Sequence, residues 1–492
     1  RCQREGRGFD PLCPLQYYFL SKMSKKNKLS IDELFSLAVQ NQRNNNLQVS
    51  KDLYKKIIKL NPKFIKAYNN LGLIFQKMGE NKNALRCYEK VIQVNPDLAN
   101  VQYNLGLIFE QLDENEKAKD CYEKVIEINP NIVNAHNNLG LVFKKLGENE
   151  KAKRCYEKAI EISPNYANVH NNLGIFYADL GKYKEAINSY IVALKCDNEH
   201  KSAKENLILS LTYFKSDSNH PIIVANNNLQ KVQNNFDLQD CLKNENLAII
   251  FKKSYEILND VVESIKGIEY KETQTYRRNS INLNCRRHHK VFNQYNIIPR
   301  FCFSCFKIQI EPKNIIELIK LFFVFDSFKL SNNNWRKCMI ELRPNVSGVY
   351  KGLIYCSSME EASEILSDIS PILKKNLEYK VSIKRGCSEF YKSFPNFKQT
   401  DKKDSTFMNY NNKWEKLEKI ADTKKDLIQK KLSDSISGLS ISDFLIINHW
   451  LNYAKLINDL SYKDVNTNFP YSKFIFEKIS SQIEFRKKEF LC

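Results

Sequence analysis

The feature that most constrains this chain is a self-similar unit of 34 residues that recurs through its first half. The clearest copies begin "AYNNLGLIFQKMGENKNALRCYEK" at Ala67 and "AHNNLGLVFKKLGENEKAKRCYEK" at Ala135. The positions that recur at this spacing are Leu71-Gly72, Leu105-Gly106, Leu139-Gly140 and Leu173-Gly174, the tyrosines Tyr88, Tyr122, Tyr156 and Tyr190, and the prolines Pro62, Pro96, Pro130 and Pro164. Self-similarity at such a period is typical of stacked supersecondary units.

Each unit predicts two helices joined by a turn. Glycine permits a close helix crossing, leucine and tyrosine fill the space around it, and proline ends the second helix. A weaker copy before Pro62 has Ala38 in place of the glycine. The pattern resembles the tetratricopeptide repeat family. The resemblance implies a right-handed α-solenoid of five units over about residues 31–200, with a capping helix that extends the region to 214.

A row of asparagines follows the same period and predicts a peptide-binding surface. Its members are Asn70, Asn104, Asn138, Asn172 and Asn206, with Asn100, Asn134 and Asn168 one turn earlier. A carboxamide both donates and accepts, so a regular row can pair with an extended peptide backbone. The register is similar to the repeats of O-linked N-acetylglucosamine transferase, which implies a concave peptide groove. The alternative is that these asparagines only cap neighbouring turns.

Charge and cysteine content limit the setting of the chain. The formal net charge is +20, and residues 285–400 hold 19 Lys and Arg against 10 Asp and Glu, so a polyanion or an acidic partner is expected. The fourteen cysteines come with no secretory segment and no apolar run long enough to span a membrane. We therefore expect a reduced, cytoplasmic protein. Residues 1–22 lack an initiator Met, so we expect translation from Met23 and a leader up to residue 30.

The stretch "CRRHHKVFNQYNIIPRFCFSCFKI" predicts a zinc site. Cys285 and His288 form one close pair, Cys302 and Cys305 form a second, and His289 could replace His288. Two such pairs are the usual arrangement of a structural zinc site with no open coordination position. Buried, inert cysteines on a strand are the alternative. A catalytic Cys–His dyad is disfavoured, because no orienting Asn or Asp motif accompanies it.

The second half predicts three segments: a helical connector at 215–284, a zinc-associated α/β domain at 285–395, and a charged linker with helices at 396–492. The middle segment reads as βαββαβ, a ferredoxin-like sandwich. Within it "YKGLIYCSSMEEASEIL" is similar to the third strand and following helix of an RNA-recognition motif, although Leu353 stands where an aromatic residue is expected. The resemblance implies nucleic-acid contacts at Lys351, Tyr355, Lys384 and Arg385, with Phe301 and Phe303 as further rings. The alternative places these rings in the core.

Three functions remain open on these patterns. The favoured one is a non-enzymatic scaffold that binds peptide segments in the asparagine groove and carries a basic, zinc-stabilised docking domain. The second is a nucleic-acid-binding regulator that uses the basic α/β domain. The third is a peptide-modifying enzyme, for which no catalytic motif is found.

Overall fold

The computed structural model of the chain describes residues 29–277, 285–344, 346–423, 434–465 and 468–491, apart from the side chains of Arg286 and Thr423. The chain divides into two compact units, Arg1–Ile162 and Ser163–Cys492. The leader expected at residues 1–30 lies outside the described residues except for its last two.

The first unit consists of helical hairpins. Its helices are α1 (Ile31–Arg43), α2 (Leu47–Leu60), α3 (Ile65–Lys77), α4 (Asn81–Val94), α5 (Ala99–Gln111), α6 (Asn115–Ile128), α7 (Val133–Lys145) and α8 (Asn149–Ile162). The turn inside a hairpin needs a residue with positive φ, which Gly79 and Gly147 supply at 75° and 78°. Asp113 takes the same conformation at 58° in the hairpin between them. The turn geometry therefore persists where the glycine is lost.

A contact between glycine and tyrosine sets the distance between the two helices of a hairpin. A Cβ atom added to Gly72 or Gly106 would lie 2.6 Å from Cε1 of Tyr88 or Tyr122, respectively. Both rings are fully buried. Real Cβ atoms do not approach this closely, so the ring occupies the volume that a side chain on the first helix would need.

The second unit begins with the same kind of hairpin. A Cβ atom on Gly174 would lie 2.4 Å from Cε1 of Tyr190. The helices of this part are α9 (Ala167–Asp179), α10 (Tyr183–Cys196), α11 (Lys201–Ser210), α12 (Pro221–Asn234), α13 (Leu238–Cys241), α14 (Asn244–Asp260) and α15 (Val262–Ile265). The connector predicted at 215–284 is thus mainly helical, but it also contributes a strand.

A five-stranded antiparallel sheet follows. Its strands are β1 (Gln274–Arg277), β2 (Phe306–Pro312), β3 (Arg336–Ile340), β4 (Tyr350–Cys356) and β5 (Tyr379–Arg385), in the spatial order β1-β3-β4-β2-β5. Helix α16 (Cys285–Tyr295) precedes β2, α17 (Ile315–Ser327) follows β2, and α18 (Met359–Asn376) follows β4. The elements from β2 to β5 therefore occur in the predicted chain order, and β1 adds an edge strand that pairs with β3.

One local prediction in this region was wrong. The stretch "FCFSCFKIQIEP", which begins at Phe301, alternates like a strand, but the strand starts only at Phe306, because a 3₁₀ helix, Arg300–Phe303, precedes it. Strands β3 and β4 form the hairpin that the sequence predicts around "NVSG", with a longer connection between Ile340 and Tyr350.

The C-terminal residues pack against the α/β elements of the same unit. They form α19 (Glu415–Thr423), α20 (Ile441–Leu456), α21 (Lys473–Ile479) and α22 (Ile483–Leu491). Arg277 of β1 binds Asp326 at the end of α17, at 2.5 Å, and Asp443 in the first turn of α20, at 2.8 and 2.9 Å. All three side chains are buried. A paired, buried guanidinium of this kind fixes the relative position of three elements, because removing one partner would leave an uncompensated charge.

The glycine–tyrosine contact predicts that Gly106→Ala destabilises its repeat. Overpacking a filled core costs about 1–3 kcal/mol, which outweighs the gain in helix propensity of about 1 kcal/mol. Amide hydrogen exchange of α5 and α6, read by mass spectrometry, should become faster in this variant. The exposed Asn100→Ala on the same helix is the control and should leave exchange unchanged. Equal protection in Gly106→Ala and the control would contradict the packing argument.

Candidate functional site

The side-chain amides of the asparagine row in the first unit donate hydrogen bonds to tyrosine hydroxyls. Asn70 Nδ2 donates to the hydroxyl of Tyr54 at 3.1 Å. Asn138 Nδ2 donates to Tyr103 at 3.1 Å and to Tyr122 at 3.4 Å. These tyrosines belong to the preceding repeat, so the asparagines join neighbouring repeats through hydrogen bonds.

The rest of the row has similar internal partners. Burial raises the pKa of Tyr88, and a hydrogen bond from Asn104 acts against that shift. In the second unit, Asn206 Nδ2 donates to Asn171 Oδ1 at 3.0 Å, while Asn172 is half-buried. The amides of this row therefore contribute to the stack itself, and the sequence pattern alone did not distinguish this role from peptide binding.

The asparagines one turn earlier lie at the surface. Asn100 and Asn134 of the first unit are exposed. Asn168 of the second unit is also exposed, and its Oδ1 lies 2.9 Å from Nε2 of His200. These side chains are thus more exposed than the asparagine row itself, whose members are half-buried.

The four predicted zinc ligands do not form a compact group in the structure. His288 is only 5% exposed and stacks on Phe301, with ring centroids 5.2 Å apart. Burial and the neighbouring Arg287 lower the pKa of His288 to about 4, which keeps the ring neutral. Cys302 is buried in an aromatic cluster with Phe390 and Phe397. The zinc assignment to this set of four stays a prediction.

A different group brings three ligand atoms together. Among the residues that the structure describes, His289, Cys387 and Glu389 present one ligand atom each, all within 4.8 Å of one another. Cys387 lies just after β5, and the sequence analysis missed it. The signal was weak, because about 100 residues separate this cysteine from the histidine pair. Gly386, at φ 57°, turns the chain there and donates from its amide nitrogen to the carbonyl of Cys305 at 2.7 Å.

Charge around Cys387 favours its thiolate. Burial raises the pKa of this thiol, but the ammonium of Lys307 and a hydrogen bond from His289 outweigh that effect and lower the pKa to about 7. The Lys307 Nζ lies 3.4 Å from Cys387 Sγ. The same hydrogen bond raises the pKa of His289.

Two of the predicted nucleic-acid contacts are already paired inside the protein. Lys351 is 3% exposed and binds Glu341 at 2.8 Å. Arg385 is equally buried, packs on the ring of Phe407 and donates to the carbonyl of Met408 at 2.9 Å. Neither side chain presents its charge to solvent. Lys351 neutralises the carboxylate of Glu341, and Arg385 donates to a backbone carbonyl.

The remaining predicted contacts are less enclosed. Tyr355 is partly buried, with Lys307 Nζ 5.2 Å from its ring centroid. Lys384 is half-buried on β5. The sheet face that carries Tyr355 also carries Gln309, Met339 and Leu353, which are buried. The part of this face around Gln309, Met339 and Leu353 is therefore covered, whereas Lys380 and Ser382 of β5 on the same face are exposed.

Phe301 is the aromatic residue of the predicted set that reaches solvent. Its ring is 43% exposed, and the adjacent Arg300 is exposed as well. The Arg300 guanidinium lies 5.6 Å from the ring centroid of Tyr410, and its amide nitrogen is held by Glu418 at 2.9 Å. The Arg300–Phe301 surface thus combines a fixed backbone, an exposed ring and a positive charge.

Comparison with known protein families identifies two regions. The tetratricopeptide repeat model matches residues 65–98, 99–132 and 133–166, which confirms the predicted repeats over that range. The model described as the Est1 DNA/RNA binding domain matches residues 152–335. No curated protein matches this chain. The specific likeness to the transferase repeats stays a prediction.

Several solved structures resemble about a third of the chain. A MamA crystal structure is 26% identical, covers 33% of this chain and 95% of its own, and has a TM-score of 0.32. YrrB, described as a TPR protein with an unusual peptide-binding site, is 21% identical over 38% of this chain and 96% of its own, with a TM-score of 0.34. A thermophilic TPR protein from Thermus thermophilus is 20% identical over 37% of this chain and 99% of its own, with a TM-score of 0.31. Within the described residues, no helix is long and apolar enough to cross a membrane.

The internal hydrogen bonds of the asparagine row predict a stability effect. Asn138→Ala should lower the stability of its repeat by about 1 kcal/mol, because it removes a donor from two tyrosine hydroxyls. Local hydrogen exchange in α6 and α7 should rise accordingly. The exposed Asn100→Ala should change exchange little. If hydrogen exchange in α6 and α7 is the same in both variants, the hydrogen bonds of Asn138 do not stabilise the stacked repeats.

Proposed function

We propose that this chain is a non-enzymatic adaptor whose repeats bind protein and whose second unit binds single-stranded nucleic acid. The observation that carries the proposal is the match of the Est1 DNA/RNA binding domain to residues 152–335, a range that begins within the last matched tetratricopeptide repeat, 133–166. This match favours nucleic-acid binding over the peptide scaffold alone that the sequence analysis preferred.

The protein-binding role belongs to the repeats. Tetratricopeptide repeats stack helix pairs into an extended surface that commonly serves binding. Asn100 and Asn134 are exposed, whereas Asn70 and Asn138 are half-buried and donate to tyrosine hydroxyls. We therefore assign peptide contact to the exposed asparagines and structural support to the row behind them.

The nucleic-acid role is assigned to the end of the matched range. Residues 285–335 contain eight Lys and Arg residues against three Asp and Glu residues. The Arg300–Phe301 surface lies within this segment. An exposed ring can stack on an unpaired base, and a neighbouring guanidinium can bind a phosphate. A base in a duplex does not offer its face, so the proposal specifies a single strand.

The α/β elements supply the support for this surface. We propose that β2 to β5 form a ferredoxin-like sandwich, supported by their chain order and by the spatial order β3-β4-β2-β5. Nucleic acid is not placed on the sheet face in this proposal, since Lys351 is buried in an ion pair there. The second unit thus acts through the 3₁₀ helix that precedes β2.

Binding of a fluorescent single-stranded oligonucleotide of mixed sequence, as RNA and as DNA, tests this assignment. The double variant Arg300→Ala, Phe301→Ala should bind about tenfold more weakly or worse in fluorescence anisotropy, because one base stack contributes about 1–3 kcal/mol. Affinity of the wild type should fall steeply with salt, since phosphate contacts release counterions. The variant should show a shallower salt slope.

Phe485→Ala is the matched control, because this ring is 54% exposed on α22 and outside the matched range. It should bind like the wild type. Absence of binding by the wild type, or equal loss in the control, would reject the assigned surface.

Removing the exposed asparagines tests the protein-binding role. Asn100→Ala, Asn134→Ala should reduce recovery of co-purifying proteins from nuclease-treated lysate, quantified by mass spectrometry, by severalfold. Asn165→Ala is also at an exposed asparagine and should have no effect. Recovery that is identical in all three proteins would remove the asparagines from the binding surface.

A further inference from the structure

Three side chains from two separate segments converge beside the sheet. His289 lies on α16, Cys387 follows β5, and Glu389 is in the 3₁₀ helix Ser388–Tyr391. Their ligand atoms lie within 4.8 Å of one another, and all three residues are partly buried. A metal ion of ordinary coordination distance fits among atoms this close, because ligands about 2.0–2.3 Å from a common centre lie within this separation.

The thiol of Cys387 and the carboxylate of Glu389 each contact a cationic side chain outside the group. Lys307 Nζ lies 3.4 Å from Cys387 Sγ, and Arg343 is ion-paired with Glu389. Metal ligands in proteins are usually held by hydrogen bonds of this kind. The two cations also offset the negative charge of the group, so binding here would depend on direct ligand bonds more than on long-range attraction of a cation.

Cys285 lies on the same helix as His289, but it is not among the residues whose ligand atoms lie within 4.8 Å of one another. The two residues are four positions apart, so they lie on one face of α16. Both line a shallow cavity of about 660 Å³ together with Lys290, Asn293 and Gln294.

We propose that His289, Cys387 and Glu389 bind a zinc ion. A thiolate, an imidazole and a carboxylate are the donors that zinc accepts in tetrahedral sites. Magnesium and calcium are disfavoured, because they select oxygen ligands. The site would join α16 to the end of β5, and it differs from the set of Cys285, His288, Cys302 and Cys305 that the sequence predicted. The proposal does not depend on nucleic-acid binding.

Zinc content of the full chain tests the assignment. The protein is produced without a metal-binding tag, and bound zinc is measured by inductively coupled plasma mass spectrometry after gel filtration. The wild type should hold about one zinc per chain. Cys387→Ser and His289→Gln should lose most of it. Cys302→Ala and His288→Gln are matched controls from the sequence-predicted set and should retain it.

Replacement of zinc by cobalt gives a second measurement, because the absorption spectrum reports directly on thiolate ligands of the metal. Cobalt bound to the wild type should give a thiolate-to-metal charge-transfer band, which should be lost in Cys387→Ser and kept in Cys302→Ala. Glu389→Gln, which preserves the side-chain shape, should weaken zinc in competition with a chelator while the charge-transfer band persists. The proposal is overturned if the wild type binds no zinc, if Cys387→Ser retains it, or if Cys302→Ala and His288→Gln lose it while the other pair keeps it.

Discussion

The close approach of a tyrosine ring to a helical glycine is the contact on which the repeat region depends. In each repeat from α3 onward the ring fills the volume of the absent side chain, and this fixes the separation of the two helices. In the first unit the asparagine of the next repeat donates to a tyrosine hydroxyl, as Asn138 does to Tyr122. One ring therefore serves the packing within a hairpin and the hydrogen bonding between hairpins. A peptide-binding surface must be built from side chains outside these contacts.

A different constraint organises the second unit, where distant segments are joined by buried charge. Arg277 links β1, α17 and α20 through Asp326 and Asp443. Asp459 similarly accepts from the Ile315 amide and the Tyr350 hydroxyl. The contacts of Asp443 and Asp459 bring residues more than 100 positions apart into one core, and they explain why the C-terminal helices are part of the α/β domain. These contacts lie on the sheet face opposite Tyr355, and the proposed nucleic-acid surface lies at the exposed Arg300 and Phe301.

The sequence predicted the elements whose contacts are close along the chain and missed those whose partners are distant in sequence. The repeats were predictable, because their glycine, tyrosine and proline signals all act within 34 residues. The order of elements from β2 to β5 was also readable from local periodicity. Strand β1 was missed, since four residues with no strong alternation pair only with a distant partner, β3. The Cys387 group was missed for the same reason, and Cys302 was taken as a ligand although aromatic packing buries it.

The central claim is that the chain contacts nucleic acid through Arg300 and Phe301 while its repeats remain available for protein. Ultraviolet crosslinking of the full chain to a single-stranded oligonucleotide, followed by mass spectrometric mapping of the crosslinked peptides, tests this claim most directly. The account predicts a dominant crosslink in the peptide that contains Phe301, and none in α3 to α7. Crosslinks confined to the repeats or to the lysine-rich residues 401–433, with none at Phe301, would contradict it.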